Sequence, residues 1–484
     1  MFKATNQRSS RVAGGSLLAS ILAAILMLSG CGGSSSPPVG GGGGGQGGGS
    51  SQATATQVRM GDAPADRVIA FELTIGSPIL LTPSGGIAGV NVPVAANRLE
   101  LSHMSGHLEP LAVLNVTQGT YSSATITIIN PEVIFLDNAG VQHKIQSNSS
   151  QTVTVTFSPP VTIGANAGTL NVDLSVLNSV ATDALGNITG FNFSASSFTI
   201  GTKPIAAAAE QEDDDGELED VTGLVTSASG SNFTISVGQS GAQLTFATDA
   251  TTQFNDGVTN VAGTLNQIVK VEGFTKSDGT LFAKEVEGLE SHTGAEVEGI
   301  VVTVTGNPAI SLDVLAQDGI GGGMDDTKVG TNFTADASGA QYKVDLGNVD
   351  TSGLGGIPGS PNFPFDSNTV MAGQRVEIES ASGVPATNGT IVSEKVKLQQ
   401  QALTGMVSNF AAGAGGAATF DLNLAADGSS YLTVLSAQTL VHVFQQPGTD
   451  NKFGAISNAS TLRVRGLLFW TGTTFNLIAR RITP

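Results

Sequence analysis

The chain has 484 residues, of which 21 are Lys or Arg and 40 are Asp or Glu, and its formal net charge at pH 7 is −19. This acidic excess argues against nucleic acid as a partner, because contacts to phosphates need clustered Lys and Arg. Only 13% of the residues are charged and 63 are Gly, a composition that favours strands and turns over helices. The length suffices for about three or four domains.

Residues 1–30 have the layout of a secretory signal peptide, with a basic start and an apolar run from Leu17 to Leu28. The sequence LSGCG at 28–32 resembles the bacterial lipobox, in which the cysteine becomes the lipidated first residue of the mature chain. Cys31 is the only cysteine, so it has no partner for an intramolecular disulfide. The resemblance implies an acyl anchor such as palmitate at Cys31. Because Gly32 follows the cysteine, it also implies the outer membrane of a Gram-negative-type envelope. The alternative is an ordinary signal peptide with a chance cysteine.

Two segments predict linkers. Residues 31–57 are rich in Gly and Ser, which bury little surface and lose much entropy on ordering, so we expect a disordered tether. Residues 203–220 contain a run of Asp and Glu, and such acidic runs are usually solvated and disordered. No apolar run after the signal peptide reaches the roughly 18–20 residues of a membrane span.

Residues 58–202 show the period of two that is typical of half-buried strands. From 169 to 177, for example, Leu and Val alternate with Asn, Asp and Ser. We therefore expect one β-sandwich in this segment. The sequences GDAPAD at 61–66 and GTY at 119–121 resemble an uncharacterised domain common in bacterial lipoproteins. That resemblance implies a location and a fold but no activity.

The rest of the chain contains an internal repeat, with copies at residues 221–290, 295–400 and 403–484. Each copy opens with Gly, a hydrophobic residue and Val, and later has a strand that alternates hydrophobic and charged residues. The openings are GLV at 223–225, GIV at 299–301 and GMV at 405–407, and the alternating strands are VKVE at 269–272, VEIE at 376–379 and LRVR at 462–465. Units of this size indicate small β-barrels.

This repeat resembles a second uncharacterised bacterial domain with an OB-like barrel. The middle copy holds an insertion at about 318–366, rich in Gly, Asp and Pro, which predicts a long surface excursion. The predicted fold class is therefore all-β: an N-terminal β-sandwich followed by three small β-barrel or OB-like repeats, after a signal peptide and a disordered Gly-rich tether.

The sequence contains no motif of a known catalytic or metal centre: no Cys-x-x-Cys, nucleophile elbow, P-loop or His-Glu-x-x-His. His103 and His107 have the four-residue spacing of zinc ligands on a helix, but Gly106 lies between them and Pro110 follows. A polar loop that includes Glu109 is the favoured interpretation. No cofactor is expected.

Calcium binding is the one metal chemistry that the sequence leaves open. Asp62 and Asp66 could offer two oxygen ligands, although carboxylates that flank Ala-Pro-Ala are more often turn residues. A calcium ion needs six to eight oxygens, so we expect weak binding at most. The same holds for the Asp runs at 213–215 and 325–326.

The third repeat differs in charge from the first. Residues 403–484 hold five basic and three acidic residues, a net of +2, whereas residues 221–290 hold three basic and seven acidic residues, a net of −4. A basic strip would form if the strand that carries Arg463 and Arg465 lay beside the one that carries Arg480 and Arg481. Its partner could be lipopolysaccharide phosphate, an anionic polysaccharide or the chain's own acidic linker. The plainer alternative is a solvated strand face.

Trp470 lies in a hairpin next to this predicted strip. An exposed Trp can stack on a sugar ring, whereas a single Trp is more often a hydrophobic anchor of the core.

Together these features predict a non-enzymatic, lipid-anchored protein of the bacterial cell envelope. It would have a binding or structural role, with a glycan or an envelope protein as its partner, and no nucleic acid. One alternative is a polysaccharide-active enzyme whose two carboxylates are dispersed in sequence. Another is a periplasmic scaffold without a specific ligand.

Overall fold

The structure is a computed structural model of the chain. It describes residues 52–63, 67–85, 89–94, 98–104, 106–183, 187–212, 214–238, 240–291, 294–324, 328–346, 349, 363–384, 390–424 and 430–484. The predicted signal peptide, Cys31 and most of the predicted tether lie outside these residues. Residues Ser51–Pro484 pack as one unit.

The N-terminal part is a β-sandwich, which is what the period-two pattern predicts. Its strands are β1 (Ala53–Ala63), β2 (Val68–Pro83), β3 (Val90–Val92), β4 (Arg98–Glu100), β5 (Leu108–Thr117), β6 (Gly119–Leu136), β7 (Gln142–Gln146), β8 (Ser150–Ile163), β9 (Gly168–Ser175), β10 (Val180–Thr182), β11 (Ile188–Phe191) and β12 (Phe198–Pro204). One sheet has the order β12-β9-β1-β5, with β1 and β9 parallel; the other has the order β3-β2-β6-β7, with β4 on β2 and β8 on β6. A two-stranded ribbon pairs β10 with β11.

One hydrophobic core fills the space between the two sheets of the sandwich. Val172 and Leu174 of β9 contribute from one sheet, and Val153, Val155 and Phe157 of β8 from the other. Along both strands the intervening residues are more exposed, because successive side chains of a strand point to opposite faces.

Three further sheets follow along the chain. The first comprises β13 (Glu217–Ser229), β14 (Asn232–Val237), β15 (Ala242–Ala247), β16 (Gln253–Asn255), β17 (Gln267–Thr275) and β18 (Leu281–Ser291). The second comprises β19 (Ala295–Gly306), β20 (Ala309–Gly321), β21 (Asn332–Asp336), β22 (Gln341–Val344), β23 (Arg375–Ser380), β24 (Thr390–Val392) and β25 (Lys395–Leu398). The third comprises β26 (Gln400–Ala412), β27 (Ala418–Asn423), β28 (Leu440–Asn451), β29 (Thr461–Trp470) and β30 (Phe475–Thr483).

These three sheets share one strand order. The third is a closed barrel in the order β26-β27-β28-β30-β29, in which β28 and β30 are parallel. The first follows the same path, β13-β14-β15-β18-β17, and its β15 and β18 are parallel too. In the second, β19 pairs with β20, which pairs with β21 and then β24, and on its other side β19 pairs with β23, which pairs with β25. Strands β24 and β25 follow each other in the chain, and together they take the place that β18 has in the first sheet. The three sheets are called the first, second and third barrels below.

The pairing register explains why each barrel opens with glycine. Gly223, Gly299 and Gly405 all lie in the first strand of a barrel, where the next strand crosses closely. A Cβ at Gly299 would overlap the Leu315 carbonyl oxygen, and one at Gly223 would lie 2.8 Å from the Ser236 carbonyl oxygen. These glycines pair with Val269, Val376 and Leu462, the first residues of the three alternating strands.

The expected surface excursion at 318–366 is wrong in its first half. Residues 332–336 form β21, which is the third strand of the second barrel, and Phe333 and Ala335 are buried in its core. The stretch 350–362 lies outside the described residues. The Gly and Asp content suggested a loop, but the alternation around Phe333 gives the segment one apolar face.

Helices are short throughout the described residues. They are α1 (Val176–Ser179), α2 (Val261–Thr264) and α3 (Tyr431–Ser436), with 3-10 turns at Ser102–Met104, Ala195–Ser197 and Ala414–Gly416. Within the part of the chain that is described, none has the length and apolar character to cross a membrane.

Candidate functional site

A small polar cavity lies where the sandwich and the three barrels meet. Its volume is about 40 Å³, enough for a few water molecules or an ion at roughly 10–15 Å³ each, and too small for a sugar ring. The ionisable and amide side chains that line it are His103, His107, Glu109, Asp220, Glu296, Glu298, Asp318, Arg375, Gln399, Gln400 and Arg465.

The histidine pair forms one wall of this cavity. His103 lies in the 3-10 turn Ser102–Met104, and its side chain bridges two carboxylates: Nδ1 lies 3.1 Å from Glu100 Oε2 and Nε2 lies 2.9 Å from Glu109 Oε1. His107 Nε2 is 3.3 Å from the same Glu109 oxygen. Because both ring nitrogens of His103 contact carboxylates, it is an ion-pair partner and does not present a free nitrogen to zinc.

Burial and pairing shift the pKa values of this group in opposite directions. Burial alone would lower the pKa of His103, but Glu109, Asp318 and Glu100 hold it well above its usual value. Burial would likewise raise the pKa of Glu109, and the two imidazoles hold it well below its usual value. An imidazolium–carboxylate pair is therefore the stable state at neutral pH.

The second barrel has a buried charged face that reaches the cavity through Glu296 and Glu298. Glu296 and Glu298 alternate with hydrophobic residues along β19, so both lie on one face, and they pair across the sheet with Glu379 and Glu377 of β23. Next to β23, the residues of β25 opposite Glu377 and Glu379 are lysines, Lys397 and Lys395.

Most carboxylates of this face have a cation beside them. Lys397 Nζ is 3.2 Å from Glu377 and 2.7 Å from Glu379, and Lys395 Nζ is 2.8 Å from Glu379. The ion pairs that extend the group are Arg375 with Glu298, Lys270 with Asp345 and Glu377, and Lys397 with Glu287. Lys270 comes from the first barrel, so the network joins two barrels.

Glu296 is the exception in this network. Its side chain is 2% exposed, and its Oε2 has no hydrogen-bond partner among the described residues. Burial, reinforced by Glu377 and Glu298, raises its pKa well above the usual value. Carboxylate oxygens of Glu296, Glu298 and Glu377 lie within 4.8 Å of one another, which is a spacing that one metal ion could bridge.

The predicted basic strip exists as an arrangement of strands, because β29 pairs with β30 and places Arg465 opposite Arg481. Of the three partners considered from sequence, the chain's own acidic segment is the one in contact. Arg465 Nη1 lies 3.6 Å from Glu219 Oε2, and Arg480 lies 3.6 Å from Glu217 and 3.9 Å from Glu219.

The two other arginines of the predicted strip also lie beside acidic residues: Arg481 is hydrogen-bonded, and Arg463 lies near an acid of the sandwich. Arg481 Nε is 2.8 Å from Asp450 Oδ2, and its Nη1 donates to the Gly106 carbonyl oxygen at 3.1 Å. Burial raises the pKa of Asp173 overall, although the positive charge of Arg463 nearby lowers it.

Trp470 packs on the core of the third barrel. Its ring centroid lies 4.9 Å from that of Phe475, and the side chain is partly buried. This contact is the one expected of a hydrophobic anchor.

The expectation that residues 203–220 are a solvated linker is wrong for its C-terminal part. Glu217, Glu219 and Asp220 belong to β13, and Glu219 is 6% exposed. The Asp214 carbonyl oxygen also accepts hydrogen bonds from Thr169 and Asn171 of the sandwich. Burial of Glu217 and Glu219 becomes favourable because Arg465 and Arg480 of the third barrel neutralise them. The local charge pattern does not reveal this contact between distant segments.

The predicted calcium pair and the lipidation residue receive no structural account. The side chain of Asp62 and all of Asp66 lie outside the described residues, as do Cys31, Asp213 and the Asp pair at 325–326.

Sequence reasoning missed the glutamates and lysines of the second barrel as site residues. The signal was in the strands AEVE, RVEIE and KVKL, whose charged positions are in phase. An alternating charged face ordinarily points to solvent, so nothing local indicated that other domains cover it.

The comparisons with known proteins identify one segment. Residues 222–287, which span most of the first barrel, match a family described as Domain of unknown function (DUF5666). An uncharacterised domain is what the sequence predicted there. No curated protein matches the chain.

Proposed function

We propose that this chain is a non-enzymatic, lipid-anchored protein of the bacterial cell envelope with a structural or binding role. The proposal is carried by the contacts of the central charged groups, which pair with one another across domain boundaries and line a cavity of about 40 Å³. Carboxylates that hydrolyse a polysaccharide would instead flank a cleft that admits a sugar chain. The central charges serve assembly.

The anchor is proposed from the sequence. The basic start, the apolar run to Leu28 and the cysteine after Ser-Gly support cleavage before Cys31 and its acylation. Residue Gly32 supports the outer membrane as the destination.

We further propose that the three barrels are copies of one domain. The shared strand order and the equivalent register of Gly223, Gly299 and Gly405 support this. On that basis the relationship of the first barrel to the matched family extends to the second and third.

A binding role has support from a groove on the sandwich. Its volume is about 310 Å³, and it is lined by Phe191 together with polar side chains such as Gln146, Ser147 and Thr189. That volume lies at the lower end of the range for small-ligand sites, and a ring beside amides and hydroxyls suits a glycan. Binding on a glycan array that Phe191→Ala abolishes would support this partner; an array without signal would favour the scaffold alternative.

The anchor is tested by metabolic labelling with a clickable fatty acid in cells that express the wild type or Cys31→Ser. We expect label on the wild type only, in the outer-membrane fraction. Absence of label from the wild type would contradict the anchor. Protease treatment of intact cells then distinguishes a surface protein, which is cleaved, from a periplasmic scaffold, which is protected.

A further inference from the structure

We propose that Glu296, Glu298 and Glu377 bind one calcium ion at the wall of the central cavity that Glu296 and Glu298 line. This site is separate from the Asp62 and Asp66 pair that the sequence suggested, and it does not depend on the lipid anchor.

The spacing of the three carboxylates suits calcium. Calcium–oxygen distances are about 2.3–2.6 Å, so two ligand oxygens on opposite sides of the ion are about 4.6–5.2 Å apart. Oxygens of Glu296, Glu298 and Glu377 all lie within 4.8 Å of one another. Magnesium demands near-ideal octahedral geometry at about 2.0–2.1 Å and usually keeps several waters, so a cluster of three protein carboxylates favours calcium.

The buried, unpartnered oxygen of Glu296 points to a missing ligand. The residue is 2% exposed, lines the cavity, and has no hydrogen-bond partner for Oε2 among the described residues. A buried carboxylate without a partner is costly. A bound cation would remove that cost by giving Glu296 the partner that Glu298 and Glu377 already have in Arg375 and the lysines.

The charges of the surrounding network leave room for a dication. The acids linked by ion pairs or by the three-carboxylate cluster are Glu287, Glu296, Glu298, Asp345, Glu377 and Glu379, and the bases are Lys270, Arg375, Lys395 and Lys397. Once calcium displaces the Glu296 proton, six acids against four bases leave a charge of −2, which one calcium ion balances.

The cavity also has space and polar atoms for the remaining coordination sites. Three carboxylates supply three to six oxygens, and calcium takes six to eight. Asp220 Oδ1, Asp318 Oδ1 and Gln400 Oε1 line the same cavity without hydrogen-bond partners among the described residues. They can accept hydrogen bonds from calcium-bound water. The Nε groups of Arg375 and Arg465 also lack a partner there, and such water can accept from them.

The test uses the purified full chain, freed of bound metal with EGTA. Isothermal titration with CaCl2 is expected to show one tight site per chain, and thermal unfolding should shift upward with CaCl2 more than with MgCl2 at equal concentration. We expect Glu296→Gln to weaken calcium binding about tenfold or more, because one ligand charge is lost.

Two control variants keep the test falsifiable. Glu132→Gln removes a buried carboxylate of the sandwich and should leave calcium affinity unchanged. Asp62→Asn should also leave it unchanged, whereas loss of binding in that variant alone would place the ion at the sequence-predicted pair. A wild type that does not bind calcium, or Glu296→Gln protein that is folded by circular dichroism and binds as well as the wild type, would overturn the proposal.

Discussion

Replacing Glu219 with Gln tests whether the third barrel is held by buried charge. Glu219 has a side chain 2% exposed and lies between Arg465, 6% exposed, and Arg480, 13% exposed. Removing one partner of a buried ion pair costs about 3–5 kcal/mol, because the remaining charge loses its compensation. We therefore expect Glu219→Gln to lower the free energy of unfolding of this region by about that amount.

Trp470 makes the measurement specific. It is the only Trp in the chain and packs against Phe475 in the third barrel, so urea unfolding followed by its fluorescence reports on this barrel. The exposed pair of Lys452 and Glu212, with side chains 41% and 39% exposed, is a matched control. Glu212→Gln should change the unfolding free energy by no more than about 1 kcal/mol, as surface pairs do.

A double-mutant cycle separates the charge interaction from other effects. Glu219→Gln and Arg465→Met should each destabilise, and the double variant should lose less than the sum because the two residues contact each other. Effects that simply add, or a Glu219→Gln cost as small as that of Glu212→Gln, would refute the buried-charge reasoning.

Two further predictions concern stability. Gly299→Ala should destabilise strongly, since its Cβ would overlap the Leu315 carbonyl oxygen, whereas Gly201→Ala, where a Cβ meets no atom within 4 Å, should be nearly neutral in the same urea titration. Burial raises the pKa of Glu72 to about 8, although Arg98 lowers it. The folded chain therefore holds this proton more tightly than the unfolded chain, and the contribution of Glu72 to stability is complete below about pH 4.5 and is lost as the pH rises through about 8. Glu72→Gln should remove this part of the pH dependence; an unchanged stability–pH profile would contradict it.

The fold was largely predictable because strand alternation is a local signal. The period of two around Val172 and Val155 predicted the sandwich, and the repeated Gly-hydrophobic-Val openings predicted three similar units. The register adds the reason for those glycines, which is the close approach of a neighbouring strand. The third strand of the second barrel was missed because its flanking Gly and Asp residues resemble a loop.

The candidate site was much less predictable. The arginines of the strip and the acids at 217–220 were each identified, and their contact was one of three alternatives. The buried charged face of the second barrel was not identified, because burial of such a face depends on which domain covers it. Residues far apart in sequence, such as Lys270 and Glu377, meet only in the folded chain.

Carboxyl footprinting by mass spectrometry tests the central claim most directly, since it measures which acids reach solvent. The native chain would be treated with a carbodiimide and glycine ethyl ester, and modification compared with that of the urea-unfolded chain. We predict strong modification at the exposed Asp249 and almost none at Glu219, Glu377 and Glu379 until the chain unfolds. Modification of those three glutamates at the rate of Asp249 in the native chain would contradict an internal charged centre and would restore an outward-facing one.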